Sequence, residues 1–319
     1  MMSTLQNGVD KDPVFTIDVR MQCPRCRGNI RELDCASCGL QMQVYDGIVD
    51  ALPPERVAHY ERFIRDYESI RAAEGRSPNN AEFYLNLPYK DVSSRNAYQW
   101  RIRASSYDYL MKRVVKPNFQ NGGELILDLG AGNGWMSYRL MLRGHRPVAV
   151  DLAVAEMDGL AAGRHYQRKL PRMFWRFQAE LDRLPFTDRQ FDLAIFNASF
   201  HYSEDYAETL GEAIRCVRPG GSIIVADTAW YSREESGRQM LAERQQDFVQ
   251  RYGFPSDGIS SLEFLTDRRL DDLERNFGIR WQRYTPFYGF RWAMRPLEAK
   301  LKGKREPSRF RIYVAEVAR

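Results

Sequence analysis

Glu124-Leu-Ile-Leu-Asp-Leu-Gly-Ala-Gly-Asn-Gly134 decides the fold. Leu125, Ile126 and Leu127 form a short apolar run, as a strand buried on both faces of a parallel sheet requires. Gly130, Gly132 and Gly134 alternate behind it, where residues without Cβ let a ligand press on the backbone. A helix is expected from about Trp135 and Met136, with its free N–H groups and positive dipole end turned to whatever occupies the turn. Strand, glycine turn and helix in this order bind a nucleotide-like cofactor.

The spacing narrows the choice. A dinucleotide turn reads G-x-G-x-x-G, its third glycine allowing close strand–helix packing. Here Trp135 holds that place and the third glycine comes one position early. Arg146-Pro-Val-Ala-Val-Asp151 reads as a second strand ending in a carboxylate, 21 residues after Gly130. A carboxylate there can accept hydrogen bonds from both hydroxyls of a ribose.

G-x-G-x-G behind Leu-Asp-Leu resembles the first motif of the class I S-adenosylmethionine-dependent methyltransferases, and Arg146–Asp151 together with three further stretches continues the resemblance. Ala179-Glu-Leu-Asp-Arg-Leu-Pro-Phe186 resembles the motif in which an acidic residue meets the adenine amino group. Phe191-Asp-Leu-Ala-Ile-Phe-Asn197 resembles the fourth strand and the mouth of the active site. Ala213 to Gly221, then Ser222-Ile-Ile-Val-Ala-Asp227, resembles the helix, Pro-Gly-Gly turn and fifth strand. The similarity, to the ubiquinone and menaquinone biosynthesis type, runs from about residue 119 to the end. It implies an α/β, Rossmann-like, seven-stranded, mostly parallel sheet with one antiparallel strand, a role expected for the last strand. It also implies S-adenosylmethionine as cofactor, held by Asp128, Gly130, Ala131, Gly132, Gly134, Asp151, Leu152, Glu180, Leu181 and Asn197.

Cys23-Pro-Arg-Cys26 and Cys35-Ala-Ser-Cys38 are two C-x-x-C pairs eight residues apart. Two such turns complete a tetrahedral S₄ site suited to Zn²⁺, and with all four positions taken by protein the zinc is structural. Gly28 and Gly39 follow the pairs and ease the turns. Met21 to Leu52 is also similar to the zinc ribbon of the small tRNA-methyltransferase activator proteins, departing at Val49, where that family has proline. The expected organisation is a zinc ribbon over 1–54, a helical linker or cap over 55–118 and the methyltransferase domain over 119–319. Cys216 reads as core packing.

In the middle segment Val57, Tyr60, Ile64 and Tyr67 share a helical face, which Phe63 and Ile70 widen, and Ser77-Pro-Asn-Asn80 ends that helix. Trp100, Ala104, Tyr107, Met111 and Val114 form a second stripe. Arg101, Arg103 and the Phe83-Tyr84 pair are candidates to line the acceptor pocket. Further on, helices are expected over Arg233 to Arg251 and from Leu265-Thr-Asp267, capped by Thr266, with Leu270, Leu273 and Phe277 buried. Strands are expected over Arg280 to Tyr288 and Arg309 to Val317.

With 44% hydrophobic and 13% aromatic residues the chain has material for a packed core. Its first ten residues carry no basic-then-apolar signal, and it has no run of 18 apolar residues, so a cytoplasmic protein is expected. Methyl transfer needs a general base only when the acceptor carries a proton, so the catalytic residue is hard to read. His201, just past the fourth strand, is the candidate. The Asn-Pro-Pro-aromatic signature of base amino-group methylation is absent, Asn197-Ala-Ser-Phe200 standing there instead. A small-molecule or lipid-like acceptor is favoured over RNA gripped by the ribbon, whose Arg25, Arg27 and Arg31 are balanced by Glu32, Asp34, Asp46 and Asp50. A non-catalytic cofactor-binding scaffold is disfavoured by the intact glycines and Asp151. From Arg291 to Arg311 eight basic residues face two acidic ones, in a chain whose whole net charge is +5. Phe290, Met294, Leu297 and Leu301 add an apolar stripe, with Pro296 expected in the first helical turn. Such an element lies on an anionic membrane surface or clamps an acidic substrate.

Overall fold

The computed structural model describes residues 18–76, 80–115, 117, 119 and 122–318. The N-terminal stretch read for a signal and most of the Ser77–Asn80 break lie outside them. Two hairpins open the chain, β1 (Ile30–Arg31) with β2 (Asp34–Cys35), and β3 (Gln43–Tyr45) with β4 (Ile48–Asp50). Three helices follow, α1 (Pro54–Ala73), α2 (Ala81–Asn86) and α3 (Ala97–Leu110), the last running into a π-helical turn, Met111–Val115. Asn80 starts α2 by accepting a hydrogen bond from the Glu82 N–H at 2.8 Å.

The sheet is built from β5 (Leu125–Leu129), β6 (Arg146–Asp151), β7 (Trp175–Gln178), β8 (Phe191–Asn197), β9 (Val217–Ala226), β10 (Gln282–Tyr284) and β11 (Ile312–Glu316). These seven stand in the order β10-β11-β9-β8-β5-β6-β7, and β11 runs antiparallel between β9 and β10. The expected seven strands and antiparallel last strand are therefore present. The sheet does not stop there. β4 pairs in parallel with β7, Val49 opposite Phe177, and carries β3 with it, giving nine strands.

Alternation along the strands divides the core into two layers. Leu127, Leu129, Val148, Val150, Ala194 and Phe196 face one side, where α5 (Tyr206–Cys216) and α7 (Asp267–Phe277) cover them with Leu210, Ala213, Cys216, Leu270 and Leu273. Ile126, Ala149, Leu193 and Ile195 face the other, against α3 and α4 (Trp135–Met141). Cys216 is fully buried in the first of these layers, as core packing requires. Trp135 packs edge-on to Trp100 and Tyr107, with ring centroids 6.1 and 5.6 Å apart. That contact explains why an aromatic stands where a dinucleotide turn needs glycine.

Some boundaries differ from expectation. Phe191 pairs with Val217 and Leu193 with Ser222, so Arg218–Gly221 bulges out of β9 instead of preceding it. α6 (Glu234–Tyr252) and α7 match their expected spans, and Thr266 caps α7 through the Arg269 N–H at 3.3 Å. The strand expected over Arg280 to Tyr288 is regular for three residues, because Tyr288 turns back to hydrogen-bond Ser106. Pro296 lies inside α8 (Phe290–Leu301), not in its first turn.

Candidate active site

The chain runs from β5 outward through β6 to β7 and then crosses back to β8 on the other side of β5, so the strand order reverses at the carboxyl end of β5, where open α/β sheets bind ligands. The glycine turn sits at that point. Gly130, Gly132 and Gly134 all take left-handed φ values of 72°, 53° and 76°. A Cβ on Gly130 would lie 2.2 Å from the Ser199 Cβ, so packing alone demands glycine. A Cβ on Gly132 would meet only the Asp158 carbonyl oxygen at an ordinary 3.7 Å, and the Gly132 N–H donates to Asp151 Oδ2 at 2.8 Å. Asp151 Oδ1 accepts from the Ala153 N–H at 2.8 Å. The carboxylate thus braces the turn and still borders the cleft. The start of α4 is less open than expected, since the Trp135 N–H is taken by Asn133 Oδ1 at 3.2 Å.

Two adjoining halves of the cleft meet at the glycine turn, and Tyr67 of α1 lines both. One half is apolar with a single carboxylate, lined by Phe63, Ile64, Asp151, Leu152, Ala153, Leu181 and Tyr202. The rings of Phe63, Tyr67 and Tyr202 pack with centroids 5.7–6.0 Å apart. The other half is polar, lined by Asp128, Ala131, Asn133, Asp158 and Asn197, with Trp100 and three arginines, Arg71, Arg76 and Arg103.

The polar half carries excess positive charge. Arg71 Nε lies 3.4 Å from Asp158 Oδ2, with its guanidinium over the Tyr67 ring at 4.6 Å. Arg76 is engaged by Glu74 and Gln99. Arg103 stacks over Trp100 at 5.2 Å and has no carboxylate within ion-pairing distance among the described residues. Burial, and then the nearby Arg71 and Arg76, push its pKa down against the attraction of Asp227. Asp128 does not neutralise it. Burial raises that carboxyl to about 7, although the Ser137 hydroxyl donates to Oδ2 at 2.7 Å. Behind Arg103, Asp227 is raised to about 6 by burial and accepts from Ser106.

Residues 127–225, from β5 through most of β9, match the family model described as a methyltransferase domain. The chain carries a methyltransferase domain. Over 126 residues it is 29% identical to a malonyl-[acyl-carrier protein] O-methyltransferase of Yersinia pestis, covering 40% of this chain and 45% of the relative. Over 105 residues it is 33% identical to a demethylmenaquinone methyltransferase of a Mycobacterium species, covering 33% and 42%. The chain thus spans about half the length of these curated relatives. Among solved structures, a chain of the complex between the Haloferax volcanii Trm112 methyltransferase activator and a methyltransferase aligns with a TM-score of 0.51. It is 16% identical and covers 81% of this chain and 98% of that one, a likeness of fold.

Within the methyltransferase domain, the expected cofactor residues Asp128, Gly130, Ala131, Gly132, Asp151, Leu152, Leu181 and Asn197 all line the divided cleft. Gly134 lies beneath it, against Phe174. Glu180 is turned away, its Oε1 accepting from Arg56 at 2.7 Å and from Tyr60 at 3.0 Å under α1. His201 lines neither half. It packs behind Tyr202, where burial lowers its pKa to about 4 and Glu263 and Arg244 are the nearby charges. Arg101 is exposed, and Phe83 and Tyr84 are core residues, leaving Arg103 as the lining residue of that group. Phe63, Tyr67, Arg71, Arg76 and Asp158 are lining residues that sequence reasoning missed as such. For Phe63 and Tyr67 the helical stripe was the available signal.

The four cysteines lie apart from this cleft. Their sulfurs are all within 4.8 Å of one another, with Cys23–Cys38 at 3.6 Å and Cys26–Cys35 at 3.5 Å. A tetrahedral Zn–S₄ centre with bonds of about 2.3 Å has sulfurs about 3.8 Å apart, so the cluster fits a zinc ribbon. The turns are not alike. Gly39 takes the left-handed position after the second pair, but Arg27 takes it after the first. Gly28 is needed for another reason: a Cβ there would lie 2.5 Å from Ser37 Oγ of the facing turn. Arg27 reaches Glu212 of α5 at 2.6 Å, and Arg25 reaches Glu55 of α1 at 2.6 Å, tying the ribbon to its neighbours.

Proposed function

We propose that this protein transfers a methyl group from S-adenosylmethionine to a small, lipid-like acceptor that carries negative charge. The observation that supports it is the grouping of Arg103, which makes no ion pair among the described residues, with Arg71 and Arg76 in the polar half of the cleft. The apolar half suits an adenosine, with Asp151 toward the ribose and Leu152 and Leu181 about the base. Asp128, Asn197 and the Gly130–Gly132 backbone would hold the methionine end. The cofactor supplies an electrophilic methyl on a sulfonium. This chain's part is to hold the two reactants in line and keep water out, the contribution that dominates in such displacements. Tyr67 and Arg71, on α1, close the cleft over that meeting point. We assign no general base.

In this reading Cys23, Cys26, Cys35 and Cys38 hold one structural zinc, and such reduced thiols fit a cytoplasmic protein. An RNA acceptor gripped by the ribbon fits less well, because Arg25 and Arg27 are already paired with Glu55 and Glu212. The test is to incubate the purified protein with cell extract and methyl-labelled S-adenosylmethionine. Label is expected in solvent-extractable acidic material. Label in RNA would replace the acceptor assignment, and label nowhere would end the proposal.

A further inference from the structure

α8 is an unusual helix for a folded chain, because none of its residues is buried. Phe290 is 82% exposed and Leu301 79%, with Met294 and Leu297 at about half. These four fall at i, i+4, i+7 and i+11, one stripe along the helix, and exposed Phe287 extends it at the start. Apolar patches of this kind on a soluble surface mark interaction sites. The helix is held from its other side. Trp292 packs on Phe310 at 5.2 Å, and Arg295 donates to the Ser308 carbonyl at 3.1 Å.

The fringe of the stripe is basic. Lys302 is paired with Glu298 and Arg305 with Glu243, but Arg291, Lys300 and Lys304 form no ion pair among the described residues. We propose that this face docks on an anionic lipid surface, with Phe290 and Leu301 entering the headgroup layer and these three cations, Arg291 now stacked on the Tyr98 ring at 5.5 Å, on lipid phosphates. No helix among the described residues is long and apolar enough to cross a membrane, so the contact is peripheral. A second copy of the chain is a poor occupant. Two such faces brought together would oppose Arg291, Lys300 and Lys304 with their own kind, a repulsion a bilayer of negative lipids replaces by attraction.

The position of α8 gives docking a purpose beyond adhesion. Tyr288, two residues before the helix, shares a hydrogen bond of 2.9 Å with Ser106, which donates to Asp227 near Arg103. The docked face therefore starts at the wall of the polar half of the cleft. The docking itself does not depend on the proposed reaction and is tested without it.

The experiment is co-sedimentation of the full chain with vesicles of phosphatidylcholine alone or mixed with phosphatidylglycerol. Binding to the mixed vesicles is expected, weakening as salt is raised. Phe290→Ser with Leu301→Ser should reduce partitioning by roughly tenfold or more. Lys300→Gln with Lys304→Gln should cost roughly fivefold per charge and erase the preference for the anionic lipid. Unchanged S-adenosylmethionine binding in both variants would show that they fold. Absence of vesicle binding by the unaltered chain would overturn the proposal, as would equal binding by the Phe290/Leu301 variant. Concentration-dependent dimerisation lost in that variant, without vesicle binding, would assign the face to a second copy instead.

Discussion

Arg56 Nε lies 2.7 Å from Glu180 Oε1, joining α1 to the segment just past β7 across 124 positions of sequence. The Glu180 side chain is fully buried, and the Tyr60 hydroxyl donates to the same oxygen. This clasp holds α1, and with it Phe63, Tyr67 and Arg71, over the glycine turn. Arg56→Ala leaves a buried carboxylate without its cation and should cost about 3 kcal/mol of stability. It should also weaken S-adenosylmethionine binding, since the helix that covers the cleft loses its anchor. Thermal denaturation and calorimetry together check this. Unchanged affinity in a destabilised variant would mean that α1 takes no part in holding the cofactor.

Asp151→Ala should weaken S-adenosylmethionine binding by at least tenfold. Its two oxygens brace the Gly132 and Ala153 N–H groups, and charge-assisted hydrogen bonds are worth roughly 1.5–3 kcal/mol each. Titration calorimetry is the measurement. Equal affinity for variant and parent would place the cofactor elsewhere.

Asp128 makes stability depend on pH. Its carboxyl is raised from 3.8 to about 7 by burial, so between those values the native chain keeps a proton that the unfolded chain releases. The contribution is complete below about pH 4, declines as pH rises, and is lost above about pH 7. Asp128→Asn should therefore raise the melting temperature at pH 8 and flatten its fall between pH 5 and 7. Parallel melting curves for variant and parent across that range would show that Asp128 is ionised throughout.

Gly28→Ala should lower the zinc content of the purified protein, because the new methyl meets both Ser37 Oγ at 2.5 Å and Ser37 Cβ at 2.8 Å. Ser37→Gly in the same chain removes both contacts and should restore the metal. Metal analysis of the single and double variants decides it, and zinc unaffected by Gly28→Ala would show that the two turns can separate. Cys35→Ser should abolish zinc while leaving cofactor binding largely intact.

The glycine turn and the carboxylate at Asp151 were legible because each rests on local pattern, an apolar run, alternating glycines and an acidic strand end, while the seven strands with one antiparallel were implied by the family resemblance. Glu180 was not, since its own neighbours cannot show that Arg56 arrives from another element and claims the carboxylate. The same holds for Arg71 and Arg76, whose approach to the cleft depends on how α1 crosses the sheet. β3 and β4 are three residues each, too short for alternation to declare them part of the large sheet. Arg27 shows the opposite error. Gly28 is expected to ease the turn after the first cysteine pair, but Arg27 takes the left-handed position there and Gly28 leaves room for Ser37.

The pairing of β4 with β7 has a consequence for what happens when the ribbon fails. β7 has β6 on one side and the ribbon's own strand on the other, Ile48 to Asp50 against Arg176 to Gln178. If the metal is stripped and the hairpin comes away, Trp175 to Gln178 is left as a naked edge beside the fully buried Phe177, and an unpaired edge is a template for another chain. The visible result of chelation should then be turbidity that grows with protein concentration, well before the cofactor cleft itself has melted.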